Sequence, residues 1–459
     1  MSLGLEKSHR LFQGIIPSLL STCAKDGTPN ITYISQVTYV DATHVAVSCQ
    51  FFNKTKRNLL ENPQAMVELW DPVTFEGYRM ELRYVRSETA GPLFDSMAHR
   101  IDVIASHTGM AGVFKLKSAD VCEVLGFEKI EGFLYEGAAG AGAEAPAPES
   151  GPLNELRALS LVSSRLNRAC DLDGLLKDAL AALDEVFRFR HSMVLLLEEA
   201  RGTLVAIASH GYGESGVGAE VPMGAGLIGT VAERRVLLRL SGIDLSLRYG
   251  RAIREGVERE AGHPALRPEV PLPGLPDAEA QLALPLLVED RLLGVLALES
   301  RNPLAFTDWH EDFLQVLANQ IAVGIDRLTE PEDEETVAPA AAPAAAPVRG
   351  RGHSFVFYKA DDCVFVDGEY LVRYVPGRIL WKLLTEYRNA GRREFTNREL
   401  RLDPSLGLPS VKDNLESRLI LLKKRLEQKC PDVRIVPVRR GRFALEVAGA
   451  VELSERETA

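Results

Sequence analysis

Two stretches of this chain cannot pack, and they decide what the rest can become. Gly137 to Pro152 (GAAGAGAEAPAPESGP) is small, Pro/Gly-rich and without one large apolar side chain. Glu330 to Gly352 (EPEDEETVAPAAAPAAAPVRGRG) runs from acid through Ala/Pro to basic. Neither can bury enough surface to offset the entropy of ordering its backbone, so both read as linkers. They divide 459 residues into three folded segments, 1–136, 153–329 and 353–449, in keeping with about 150 residues per domain.

No apolar run reaches the roughly 18 to 20 residues of a membrane span. Lys7, His9 and Arg10 ahead of Leu11–Leu20 have the outline of a secretory signal, but Gly14 and Pro17 interrupt the run, and the hairpin after it needs those residues. The six cysteines are scattered, with no CxxC pair and no histidine at zinc spacing. A reducing, cytoplasmic setting without structural metal is therefore expected. The charge is uneven: Arg349 to Leu445 holds 21 Lys/Arg against 12 Asp/Glu, a surplus of nine, which leaves the remainder at −20 within a total of −11. An acidic body with a basic C-terminal module is the pattern of one module that meets phosphate.

In the first segment, Ser18–Ala24, Asn30–Val37 and His44–Cys49 are short β-type runs, the first two joined by Lys25-Asp26-Gly27. A helix-sized piece, Lys54–Asn62, ends at Asn62-Pro63, and strands resume at Ala65–Trp70, Tyr78–Ser87 and Val121–Leu125. Many short strands around one helix predict a small barrel. SCQFFNKTKRNLLENPQAMVELWDP (Ser48–Pro72) resembles the pyridoxamine 5'-phosphate oxidase-like split barrel, a family that often holds FMN at a dimer interface. The resemblance implies an FMN phosphate at Lys54, Thr55, Lys56 and Asn58, where cations and polar donors converge on a helix start, with Ser48 and Gln50 toward the ring. The spacing from the basic residues to Asn-Pro is shorter than in the oxidase. The oxidase's substrate-binding Arg/His stretch has no counterpart before the linker, so that reaction is not expected. His44, His99 and His107 are isolated in sequence and read as structural or exposed.

The second segment opens on a long amphipathic pattern, Leu153–Phe187, and closes on another, Asp308–Leu328, with strands at Ser192–Leu197, Leu204–Ala208, Gln281–Val288 and Leu292–Ser300 between them. This predicts an α+β domain. VPMGAGLIGTVAERR (Val221–Arg235), LALPLLVEDRLLGVLALES (Leu282–Ser300) and Phe306-Thr307-Asp308 resemble a GAF domain. Gly224, Gly226 and Gly229 let the chain turn sharply into a short helix over the sheet, and Pro285 with Gly294 marks a hairpin whose concave face can hold an unidentified small molecule. Ser241–Gly274 reads as a long loop with a helical piece, and Cys170, placed on the first helix, is away from a bilin-attaching position.

In the third segment, strands Cys363–Val366 and Tyr370–Tyr374 precede a helix over Pro376–Asn389, a Thr396-capped helix through Arg398–Leu402, and a long helix over Ser410–Lys429. Leu415, Leu419, Leu422 and Leu426 form its core stripe. Ile435–Leu445 folds as a hairpin. This order resembles the winged helix-turn-helix output domain of the OmpR/PhoB family, carried by LESRLILLKKRL and IVPVRRGRFAL. By that resemblance Asn414, Ser417, Arg418, Lys424 and Arg425 would enter the major groove of double-stranded DNA, and Arg439, Arg440 and Arg442 would grip its backbone or minor groove. Leu421, where the family favours a basic residue, and the partly outward Ile420 depart from the pattern; they weaken groove contact or make a protein–protein face.

The three segments together predict a dimeric, one-component transcription regulator that senses a small molecule or flavin state. The alternative is an FMN-dependent oxidoreductase with appended regulatory domains, although no acid/base pair or nucleophilic triad stands out. Coupling through the Ala/Pro linker would act by effective concentration of two DNA-binding modules, since such a linker transmits no rigid rotation.

Overall fold

The computed structural model describes residues 4–50, 53–131, 152–213, 216–259, 266–270, 274–329, 352–408, 415–439 and 441–457. Nearly all of both proposed linkers, Ser410–Asn414 of the long C-terminal helix, and the site candidates Asn414 and Arg440 lie outside the described residues.

Short 3-10 turns lead into the first module: β1 (Ser18–Cys23), β2 (Pro29–Ile34), β3 (Val37–Asp41), β4 (His44–Cys49), α1 (Asn53–Glu61), β5 (Gln64–Trp70), β6 (Gly77–Glu88), α2 (Pro92–His107) and β7 (Ser118–Lys129). The strands form one seven-stranded sheet in the order β2-β1-β5-β6-β7-β4-β3, every pair antiparallel. Leu20, Ile34, Val47, Val67, Met80 and Leu82 fill its core. The run predicted as one strand over Asn30–Val37 is two: the chain breaks at Ser35–Gln36, and β3 pairs with β4 instead of β1. The strand-rich reading also lacks α2. That helix starts at Gly91-Pro92, with proline in its first turn, and buries Met97, Ile101, Ile104 and Ala105 at helical spacing.

The second module holds α3 (Pro152–Arg168), α4 (Leu172–Phe187), β8 (His191–Glu198), β9 (Thr203–His210), β10 (Glu220–Pro222), α5 (Gly226–Arg234), β11 (Leu238–Ser241), α6 (Ile243–Arg259), β12 (Ala280–Val288), β13 (Arg291–Ser300) and α7 (Asp308–Thr329). Its antiparallel sheet runs β10-β9-β8-β13-β12-β11. α4 and α7 cover one face, burying Leu175, Leu176, Leu180, Leu314, Leu317 and Ile321. The opening amphipathic pattern is broken in two, because Asp171 caps α4 through the Gly174 N–H at 2.7 Å. Cys170 sits in that break, exposed, rather than on a helix.

The third module comprises β14 (His353–Tyr358), β15 (Cys363–Val366), β16 (Glu369–Val372), α8 (Val375–Ala390), β17 (Glu394–Thr396), α9 (Asn397–Leu402), α10 (Leu415–Lys429), β18 (Val433–Arg439), β19 (Arg442–Val447) and β20 (Val451–Arg456). The Thr396 side chain caps α9 by accepting from the Glu399 N–H. Leu415, Leu422 and Leu426 are buried with Leu419 packed beside them, as the stripe predicts. β20 pairs in parallel with β14, which carries the fold past residue 449. No helix among the described residues is long and apolar enough to cross a membrane.

Candidate functional site

The residues predicted to hold a flavin fall into four groups. Ser48 and Gln50, both 1% exposed, lie with Ser35 where the chain breaks between β2 and β3. Gln50 Nε2 donates to Ser35 Oγ at 2.8 Å, and the Ser35 and Ser48 hydroxyls are 3.1 Å apart. Gln50 Oε1 is buried without a partner. Thr55 and Asn58 face the sheet from α1: Asn30 Nδ2 donates to Thr55 Oγ1 at 2.9 Å, and Asn58 Nδ2 donates to Thr22 Oγ1 at 3.2 Å. Lys54 alone of the two lysines is exposed, in the first turn of α1.

Lys56 does something else. Its ammonium donates to Asp120 Oδ1 at 2.6 Å, and Ser87 and Ser118 donate to the same oxygen at 2.6 and 2.8 Å. Asp120 is 2% exposed, and the Tyr84 ring lies 4.7 Å from the ammonium. Burial pulls the Lys56 pKa down, but the hydrogen bond and charge of Asp120 outweigh it and hold the pKa above the usual lysine value. Sequence reasoning missed Asp120, Ser35 and Asn30. The available signal was an acid, Asp120, placed before the Val/Cys run of β7.

A flavin fits this set in part. Lys54 and the start of α1 offer a cation and helix-end N–H groups to a phosphate, and the orphaned Gln50 acceptor offers a partner to a ring N–H. Lys56, Thr55 and Asn58 are engaged within the barrel.

The Gly224–Gly229 turn receives α2 of the first module. Gly226 has φ +60, and a Cβ there would meet His107 Cε1 at 2.8 Å. The Gly226 N–H donates to Ser106 Oγ at 2.8 Å, the Leu227 N–H donates to His107 Nε2 at 3.3 Å, and His107 Nδ1 donates to the Val270 carbonyl at 2.8 Å. Both ring nitrogens are thus used with a neutral imidazole, and burial lowers the His107 pKa in the same sense. His107, read as isolated, joins two modules.

The predicted DNA-facing residues divide sharply. Arg439 is exposed at the hairpin end, and Arg442 is half-buried, 3.7 Å from Glu394. Ser417 and Arg418, by contrast, are 5% and 8% exposed. Arg418 pairs with Glu198 of the second module at 3.3 Å, Lys424 donates to the Ile207 carbonyl at 2.8 Å, and Lys423 lies 3.5 Å from Asp173. Burial lowers the Lys424 pKa. Asp173 is held below the usual carboxylate range because, against its burial, Lys177, Lys424 and Lys423 surround it. Arg425 reaches Gly218, where a Cβ would meet its Nη2 at 2.5 Å. Ile420 is buried in the apolar core of the second module, with Leu421 packed against it. The outward face of α10 is therefore covered. Glu220 extends the seam, with Arg373 at 3.2 Å.

A family model described as pyridoxamine 5'-phosphate oxidase matches residues 6–121, and one described as a GAF domain matches residues 169–326. The chain carries an oxidase-like split-barrel domain followed by a GAF domain. Among solved structures, the GAF domain of a phosphoenolpyruvate-protein phosphotransferase from Coxiella burnetii is 25% identical, covering 39% of this chain and 96% of that one at a TM-score of 0.32. An FMN-binding protein from Syntrophomonas wolfei is 20% identical over 28% of this chain and 87% of that one, with a TM-score of 0.23. Free methionine-R-sulfoxide reductase from Neisseria meningitidis is 18% identical over 39% and 92%, with a TM-score of 0.29. No curated protein matches the chain. The GAF domain's turn-and-sheet core is packed with Leu227, Ile228, Val231, Leu240 and Val295. Its buried Glu299 accepts from Tyr212, Gln281 and the Leu275 N–H, and burial raises its pKa.

Proposed function

We propose that this chain is a one-component transcription regulator in which the GAF domain holds the DNA-reading helix of a C-terminal winged helix. The observation that carries this reading is the pairing of α10's basic face with Glu198 and Asp173 of the GAF domain. A helix built to meet phosphate is occupied by carboxylates, so any change in the GAF domain that loosens this seam exposes it. The order α8, β17, α9, α10 and the β18–β19 hairpin supports the winged-helix reading, as does the basic surplus of the segment.

The barrel supplies the second input. On this reading it takes FMN, with Lys54 at the phosphate and Gln50 at the ring edge. Its exposed edge-strand residues Ile31 and Tyr33, 68% and 60% accessible, meet a second copy. FMN added to the full chain is expected to change its absorbance and quench with a defined stoichiometry, and Lys54→Ala should weaken binding several-fold while leaving the fold intact. Lack of any spectral shift or heat with FMN removes the cofactor from this reading.

DNA binding is tested by salt. The full chain should bind duplex DNA with an affinity that falls as salt rises, each phosphate contact adding about 0.9 to the log–log slope. Arg439→Ala is expected to flatten that slope by about one contact. Failure to bind duplex at ~50 mM salt, where phosphate contacts are strong, by both the full chain and a variant with the seam opened, overturns the regulator.

A further inference from the structure

Between the barrel and the GAF domain lies a cavity of about 390 Å³ that neither the flavin nor the DNA reading uses. Phe12 and Tyr39 wall it from the barrel, Val103 from α2, and Leu227, Leu238 and Leu240 from the GAF domain. Three polar residues line it with a side-chain atom that is buried and has no hydrogen-bond partner: Gln13 Oε1, Gln36 Oε1 and Thr38 Oγ1. Gln36 is 9% exposed. Buried acceptors without donors cost stability, and these three belong to residues that line one cavity.

A cation shares that space. Arg100 lines the cavity and donates from Nη2 to the Gly14 and Ser241 carbonyls at 3.3 and 3.4 Å. Among the described residues no carboxylate pairs with it, whereas neighbouring Arg239 is paired with Asp308 at 2.7 Å and Glu311 at 2.9 Å. Burial and the charge of Arg239 bring the Arg100 pKa down to about 10, still charged at neutral pH. The volume is many times the ~30 Å³ share of one water. Asp308, Glu311 and Arg239 line the cavity too, paired with one another, so Arg100 is the lining cation left without a carboxylate among the described residues; with the acceptors that lack donors and the Leu, Phe and Tyr walls it calls for a ligand with an anion, donors and a hydrocarbon part.

We propose that this cavity binds a free α-amino acid with an aliphatic or aromatic side chain. The carboxylate takes Arg100, the ammonium draws the Gln13 and Gln36 side-chain carbonyls and the Thr38 hydroxyl round to accept from it, and the side chain lies along the leucines and Tyr39. The ligand would bridge β3 and α2 of the barrel to β11 of the GAF domain. This site stands independently of whether α10 reads DNA or the barrel holds flavin.

The test uses the full chain, titrated by calorimetry with each proteinogenic L-amino acid singly and followed by thermal midpoint. At least one apolar amino acid is expected to bind at one per chain and raise the midpoint. Arg100→Gln should weaken it tenfold or more, as loss of a charge-assisted hydrogen bond does, and Gln36→Leu several-fold. Should Arg100→Gln fail to fold, Gln36→Leu carries the test, because it removes a buried orphan and should melt no lower than wild type. With L-phenylalanine as the probe, 3-phenylpropionate, which lacks the ammonium, should bind more weakly. Absence of binding by every amino acid, binding unchanged in both variants, or equal binding of the deaminated acid each overturns the proposal.

Discussion

Reversing the acids that hold α10 is expected to tighten DNA binding by tenfold or more. In the full chain, Glu198→Lys with Asp173→Lys places cations opposite Arg418, Lys423 and Lys424. Like charges across a part-buried seam repel, and the docked state loses its pairs. If α10 reads DNA only when undocked, the apparent affinity is the intrinsic affinity scaled by the undocked fraction. Each ~1.4 kcal/mol of docking free energy removed then gives about a tenfold gain, until the seam is fully open. The measurement is a titration on a duplex with a single half-site, where dimer avidity contributes nothing. Small-angle scattering on the same variant should show an expanded particle. Expansion with unchanged or weaker DNA binding would mean that α10 is a docking helix and not a reading one.

This result also separates two routes of control. The Ala/Pro linker predicts coupling by effective concentration alone, and on that account removing residues 1–330 would only cost affinity. The seam adds an opposing effect, because the same removal uncovers α10. On a single half-site the second effect stands alone, and on two half-sites the two compete. The sequence contained the hint in Ile420 and Leu421, apolar where groove-facing residues should be basic or polar. It could not say what covers them, since contacts between residues some 220 positions apart leave no periodic trace: Glu198 reads as one more acid at a strand end.

The elements themselves were far more legible than their company. The strands Ser18–Cys23, His44–Cys49, His191–Glu198 and Arg291–Ser300, the Thr396 cap and the leucine stripe of α10 follow closely from period and local chemistry, which act within a few residues, whereas β7 runs several residues past the expected Val121–Leu125 at both ends. What failed to show were features decided by packing. The break at Ser35–Gln36 arises because β3 leaves β1's partner strand for β4, although the apolar run continues through it. The glycines of the GAF domain read only as a sharp turn into a helix, yet the space beside Gly226 is taken by the His107 ring. His107 and Arg100 belong to one helix, α2, and both meet residues of the GAF domain.

Lys54 and Lys56, alike in sequence as phosphate candidates two residues apart, are expected to part company on mutation. Lys54 is exposed, so Lys54→Ala should leave the melting midpoint within the small change usual for surface substitutions. Lys56→Ala removes the only cation beside Asp120, 2% exposed, among the described residues, and strands that carboxylate in the sheet. Two serine hydroxyls remain as donors but carry no charge. Breaking a buried pair by removing one partner costs about 3–5 kcal/mol, a large part of the stability of an ordinary domain. Denaturant unfolding of the full chain, followed by a probe in the barrel, measures it. Asp120→Asn combined with Lys56→Met should recover most of the loss, because it removes both charges together. If Lys56→Ala unfolds like wild type while abolishing FMN binding, the lysine serves the phosphate, and the Asp120 pair is incidental to the fold.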